Sequence, residues 1–244
     1  MTVQEFNTEF DIYYDNIASK QAPGLDLYEK SVYLTKAQLE LIKNKYNPNG
    51  NKYKEGFESS EKRRVDLRNL IKPYSTSTKI TNNNKISEKS YTFEIPNDTF
   101  LIVQEQCKLD QTKECFKDKY ISVVPKTYDE YNIQIKNPFK KPYNNSVWRL
   151  DISDINDKKV IELISEYNID SYQNRYIRFP KPIILTDLVN EYEGLSIDGL
   201  TELTECELDK NMHREIVDRA VELAVSDYKY NDLQNRVQLN MRNE

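Results

Sequence analysis

Apolar positions along this chain change their period twice, and each change marks a change of structure. Near the start Val3, Phe6, Phe10, Tyr13, Tyr14 and Ile17 recur at helical spacing, behind a Thr2/Glu5 pair with the spacing of a capping box. Pro23-Gly24 breaks this run. Thr35 and Gln38 form a second box, with Leu34 and Leu39 placed as a hydrophobic staple, and Leu39, Ile42 and Tyr46 carry the face on to Asn47-Pro48-Asn49-Gly50. A third helix is expected from about Ser60 to Ile71, stopped by Pro73. Ser75 to Ser90 is Ser, Thr, Asn and Lys with almost no apolar residues, and reads as a long loop.

After that loop the period becomes two. Tyr91, Phe93 and Ile95 alternate with polar residues, and Pro96-Asn97-Asp98 makes a turn. Phe100–Val103, Tyr120–Val124, Trp148 with Leu150 and Ile152, Ile161 with Leu163, and Ile177 with Phe179 follow as strand candidates. Ile183-Ile184-Leu185, fenced by Pro180 and Pro182, reads as a buried strand. A short helix is expected over Thr127 to Ile135 and a loop from Asn137 to Pro142. Short strands at this spacing predict a mainly antiparallel sheet.

The helical period then returns. Asp209 is placed to cap a long helix whose apolar face is Met212, Ile216, Val217, Ala220, Val221, Leu223, Ala224 and Tyr228. Its polar face holds Arg214, Glu215, Asp218, Arg219 and Glu222, with Asp218 and Glu222 the one unfavourable pair at that spacing. From Asn231 to Glu244 the apolar residues are too scattered to build a core. The pattern as a whole predicts an α+β chain in three regions: helices over 1–72, a mainly β region over 73–207 that opens with the long loop, and a helix with an extended tail over 208–244.

Composition narrows the chemistry. The 244 residues carry a net charge of −5, so charge alone gives no case for nucleic-acid binding. No stretch approaches the ~20 apolar residues of a membrane helix, and Met1 to Glu5 lacks the start of a signal peptide. Cys107, Cys115 and Cys206 have no metal spacing and read as free thiols of a reducing compartment. With 5 glycines, phosphate-cradling loops are nearly excluded, and the 18 tyrosines suit contact surfaces better than active sites. His213 is the only histidine, on an apolar helix, and reads as a surface or interface residue. Carboxylate groups (Asp151 with Asp154, Asp187 with Glu191, Glu202 with Glu205 and Glu207) have no signature beyond composition in a chain with 40 acidic residues. Lys62-Arg63-Arg64 with Arg68 reads as a solvated helix face, or as a phosphate contact. Tyr172, Arg175, Tyr176 and Arg178 fit a half-exposed strand, a protein interface, or a platform for single-stranded bases.

Three segments carry a resemblance. They are Phe6–Tyr14 with Tyr28–Gln38, Tyr172–Arg178 running into Pro180–Leu185, and Leu200–Leu208 followed by Met212–Val217 and Arg219–Ala224. Together they resemble the ring or adaptor proteins of the head-to-tail connector in crAss-like tailed phages of Bacteroidetes. The resemblance implies a non-enzymatic virion protein without cofactor or metal, assembled in the host cytoplasm and placed in the neck. It implies copies arranged as a ring, twelve to match the portal protein on which it docks, around the channel through which DNA leaves. Expected partners are further copies, the portal, and other connector ring or tail proteins, with DNA only in transit and no membrane. The subunit or portal contact is expected at Met212, Ile216, Ala220, Leu223 and Tyr228 and along Tyr230, Leu233, Val237, Leu239, Met241 and Arg242. The tail from Tyr230 to Glu244 would then order on its partner, adding a strand or filling a groove. Two rivals stand beside this reading. One is a cytosolic nucleic-acid-binding module using Arg63, Arg64, Tyr172, Arg175 and Tyr176. The other is a hydrolase using Asp151 or Asp154.

Overall fold

The computed structural model describes residues 1–18, 24–47, 56–82, 85–110, 119–142, 146–155, 157–192 and 194–228. The chain is α+β and divides into two compact units, Met1–Leu70 with Pro180–Glu244, and Ile71–Phe179. The N-terminal helices and the C-terminal helix therefore share a unit, and 180–207 goes with them rather than with the sheet. Pro23, the Pro48-to-Gly50 stop, Cys115 and the tail from Lys229 lie outside the described residues.

In the first unit the Thr2/Glu5 box forms as spaced: Glu5 accepts from Thr2 N at 2.8 Å and Thr2 Oγ1 from Glu5 N at 3.3 Å. Helix α1 (Val3–Ala18) then buries Val3, Phe6, Phe10 and Tyr14 along one stripe. Helix α2 runs over Leu27–Tyr46 and starts two turns before the Thr35/Gln38 box. Asp26 caps it, accepting from Glu29 N at 2.7 Å while Glu29 accepts from Asp26 N at 3.0 Å.

Thr35 and Gln38 sit mid-helix because their side chains have another partner. With Ser31 they form a polar row on one face of α2. Ser31 Oγ accepts from Leu185 N at 3.0 Å, Thr35 Oγ1 from Ile183 N at 3.1 Å, and Gln38 Nε2 donates to Lys181 O at 3.0 Å. Ile183-Ile184-Leu185 is thus buried as its apolar run predicts, yet among the described residues it joins no sheet. Helix side chains satisfy one of its edges, and Thr204 pairs with Ile184 on the other through two 3.2 Å bonds. Helix α3 (Glu61–Leu67) and a following 3-10 turn close the first passage of the chain through this unit.

Asp209 Oδ1 accepts from Asn211 N at 3.1 Å, opening a 3-10 turn that leads into the C-terminal helix, His213–Tyr228. That helix packs its apolar stripe on α1 and α2. Ion pairs tie its rim: Arg219 bonds Glu40 of α2 at 2.8 Å and Glu222 at 2.9 Å, while Lys45 spans the buried Asp66 at 2.7 Å and Glu215 at 2.9 Å.

The second unit is an eight-stranded sheet ordered β1-β8-β4-β5-β6-β7-β3-β2 among the described residues. The strands are β1 (Ile71–Thr76), β2 (Lys79–Ile80), β3 (Ser90–Glu94), β4 (Thr99–Asp110), β5 (Tyr120–Pro125), β6 (Ser146–Asp151), β7 (Val160–Ile164) and β8 (Asn168–Arg178). Every pairing is antiparallel except β5 with β6, whose crossover carries α4 (Tyr128–Gln134), the short helix expected there, capped by Thr127. Pro73, expected to end a helix, lies within β1, and Thr76 and Lys79 turn part of the expected loop into strand. β1 is an edge strand paired only with β8, where a residue without N–H is tolerated.

The sheet curls on itself. β3 and β8 are five places apart in strand order, about 24 Å across a flat sheet at the usual ~4.8 Å spacing. Phe93 of β3 and Tyr172 of β8 nonetheless meet with ring centroids 6.0 Å apart. Three register shifts between β4 and β8 supply bends for that closure. The inner face holds Phe93, Leu109, Ile121, Val147, Leu163 and Tyr172. Trp148, Leu150 and Ile164 pack on the outer face beneath Tyr131 of α4.

Candidate functional site

Among the described residues, His213 and Cys107 are buried, while most of the carboxylates singled out in the sequence lie at the surface. His213, expected at a surface or an interface, is buried within its own unit, where Phe6 of α1 lies over it with centroids 5.1 Å apart. Its Nε2 is 3.2 Å from Leu208 O, which can only accept, so Nε2 carries the proton and Nδ1 accepts from the Met1 nitrogen at 2.7 Å. Burial lowers its pKa below the usual histidine value. Burial first, and Glu105 second, push the Cys107 thiol up to about 12, and burial pushes Cys206 up to about 11, so neither is a reactive thiolate. Asp218 is raised by burial and then by Glu222, the like charge one turn on. Asp151, Asp154, Asp187, Glu191, Glu202 and Glu205 are exposed. Among the described residues no three His, Cys, Asp or Glu side chains converge to hold a metal.

The Tyr/Arg alternation on β8 is not a stacking platform. Tyr172 is fully buried and donates to Glu105 at 2.5 Å; Tyr176 is buried and donates to Asp98 at 3.0 Å. Neither ring face is open to a base, and Arg175 alone of the four is exposed. Tyr172 belongs to a polar network inside the curled sheet, where Arg149 meets Glu105 at 2.5 Å and Asn174 donates to the Tyr172 hydroxyl at 3.2 Å. Burial and then Glu105 raise the Tyr172 pKa far above the phenol range, so the group stays a donor. Burial works against the Arg149 charge, and Glu105 more than offsets it. In the Lys62 patch, Lys62, Arg64 and Arg68 are exposed, while Arg63 turns back to Lys45 O at 3.4 Å.

The expected assembly stripe is divided. Met212, Ile216 and Ala220 are fully buried and Leu223 is 6% exposed, all within the core of their own unit. An amphipathic stripe packs whatever apolar surface is nearest, and here that surface is α1 and α2. The Tyr228 side chain and all of Tyr230, Leu233, Val237, Leu239, Met241 and Arg242 lie outside the described residues.

Each unit instead displays apolar groups that the sequence reading passed over. In the helical unit, the loop around α5 (Leu188–Glu191) buries Leu188 and Ile197 but exposes Val189, Leu195, Leu200 and Leu203. Ile197 and Leu200 pair across Asp198-Gly199, both with positive φ (50° and 78°), as in a two-residue hairpin turn. Asp-Gly between apolar residues was a readable signal for that turn. In the sheet unit, Tyr131 of α4 turns inward, edge-on to Trp148 at 6.2 Å, which leaves Ile133 on the opposite face at 72% exposure. Asn137 Oδ1 accepts from Phe139 N at 3.0 Å and Lys140 N donates to Asn137 O at 3.1 Å, a turn that holds Phe139 out at 88% exposure. Ordered, outward-facing aromatics of this kind are characteristic anchors of protein interfaces.

Among the described residues, both units thus carry exposed apolar groups. The model of phage tail ring protein 3/4 matches residues 1–235, and the chain belongs to that family of structural phage ring proteins. Two relatives come from Bacteroides phage crAss001. The chain is 41% identical to its "Ring protein 4/5" over 252 residues, covering 100% of both chains, and 42% identical to its "Ring protein 3" over 226 residues, covering 92% of this chain and 95% of that one.

Proposed function

We propose that this chain is a non-enzymatic subunit of a ring in the phage neck. Copies side by side close a ring around the DNA path, twelve of them to match the portal, and the segment from Tyr230 to Glu244 docks in the portal or an adjacent ring. The observation that carries this reading is end-to-end similarity, at nearly equal identity, to two different ring proteins of one phage. A closed ring of identical copies needs two unlike faces on each subunit. The Val189/Leu195/Leu203 surface and the Ile133/Phe139 surface, on different units, are suited to supply them.

Native mass spectrometry and negative-stain microscopy of the purified chain test the ring, with twelve copies expected. Phe139→Ser combined with Ile133→Ser should leave folding intact, since exposed positions change stability by no more than ~0.5 kcal/mol, while weakening assembly. Truncation after Tyr228 should leave a folded protein that no longer joins portal-containing particles. Normal incorporation of the truncated protein would overturn the docking role.

A further inference from the structure

The two exposed apolar surfaces carry opposite charge. Around Ile133 and Phe139 the charge is positive. Asn137 N donates to Gln134 O at 3.0 Å, which joins the end of α4 to the turn that holds Phe139 out. Lys136 and Lys140 are exposed and flank Phe139 in sequence, Lys141 follows, and no acidic residue lies between Lys136 and Lys141. The nearest acids in sequence, Asp129 and Glu130, belong to the first turn of α4, where Glu130 is 3.6 Å from Lys126.

Around Val189, Leu195 and Leu203 the charge is negative. Leu188 N donates to Thr201 O at 3.0 Å, which sets residues 200–203 beside α5. Asp187, Glu191, Asp198 and Glu202 are exposed there, and from Pro182 to Asp209 the chain has no lysine or arginine. Lys30 of the adjoining α2 is turned to Asp11 at 2.7 Å. Among the described residues, neither these four acids nor Lys136 and Lys140 form an ion pair.

Apolar contact is indifferent to its partner, whereas charge selects one. Each surface repels a copy of itself and attracts the other. The whole chain is acidic, at −5, so copies repel one another unless local contacts compensate. Both surfaces are also set before association, Phe139 by its Asn137 turn and Leu200 by the Asp198-Gly199 turn, so little ordering opposes their meeting. A ring of identical copies needs two unlike faces that fit each other.

We infer that the acidic apolar surface of one copy receives the basic apolar surface of the next, with Phe139 seated against Val189, Leu195 and Leu203. The inference rests on the ring reading above and names the faces that meet in that ring.

The test is reciprocal charge reversal in the full-length chain, with assembly followed by native mass spectrometry against concentration. One variant carries Lys136→Glu and Lys140→Glu, the other Glu191→Lys and Glu202→Lys. Each sets like charges face to face and should raise the concentration needed for assembly at least about tenfold. An equal mixture of the two should assemble near the wild-type concentration with both variants in equal number, because each reversed face then meets the other. Mixing does not cure a folding defect, so the rescue reads the pairing of the faces alone. Assembly of either variant by itself at the wild-type concentration would overturn the inference. So would a mixture that assembles no better than its components. Both results leave the ring reading in place, since the wild type still assembles. A wild-type chain that stays monomeric at every concentration overturns the ring reading, and this inference with it.

Discussion

In the helical unit one row of buried polar side chains holds backbone, whereas in the sheet unit one buried polar cluster is held together side chain to side chain. Ser31, Thr35 and Gln38 grasp the main chain of 181–185, which has no neighbouring strand along that edge. Glu105, Arg149, Tyr172 and Asn174 meet inside the curled sheet, whose backbone is already satisfied by its ladders. A helix bonds its own main chain and leaves its side chains free to serve another segment. A sheet that closes on itself brings polar residues of distant strands face to face. The same kind of substitution therefore strands a backbone group in one unit and a charge in the other.

The largest test of that contrast is Arg149→Ala. It leaves Glu105 buried without its cation, and breaking such a pair costs about 3–5 kcal/mol. Trp148, the single tryptophan, lies in the sheet unit, so its fluorescence reports that unit while helical circular dichroism follows mainly the other. The fluorescence midpoint in urea should fall well below the dichroism midpoint. Phe10→Ala, also about 3–5 kcal/mol, should reverse the order. Coincident transitions in both variants would show a single cooperative fold and break the comparison.

Thr35→Val is the next test. It keeps the shape of the side chain but orphans Ile183 N, a loss of ~1–3 kcal/mol. Hydrogen exchange at the Ile183 amide should quicken while amides of β4 stay unchanged. The smallest effect is on pH dependence. Burial lowers the His213 pKa, so below about 6.5, the ordinary histidine value, the unfolded chain takes up a proton that the folded chain refuses. Stability should be full above that pH and fall as the pH drops toward the folded-state value. His213→Phe should flatten the fall, as read from thermal midpoints between pH 7 and pH 5.

Signals confined to a few residues were legible in the sequence. The Thr2/Glu5 box and the Asp209 cap form where their spacing places them, because each closes within a turn of helix. Thr35/Gln38 has the same spacing and misleads, since pattern alone does not say whether the side chains face an amide of their own helix or a strap of distant chain. Asp26 with Glu29 was the true start, and it satisfied the same rule. Pro73 misled for a related reason, as an edge strand is defined by a partner a hundred residues away. The candidate site was less legible. An apolar stripe on an isolated helix sequence looks alike whether it meets a partner or its own core, and Met212, Ile216 and Ala220 meet the core. The alternation of Tyr172 and Tyr176 with arginines hides which face curls inward. Phe139 reads as an ordinary loop residue until its turn is seen to hold it outward.

Ile71, where β1 begins, is the register partner of Ile177, near the end of β8. The chain thus enters and leaves the sheet unit at one place, and the helical unit contains both ends of the chain. In genetic terms the sheet is a cassette. A recombination that exchanges residues 71–179 between two ring genes cuts and rejoins at neighbouring points in space, and the helical core keeps every one of its own residues.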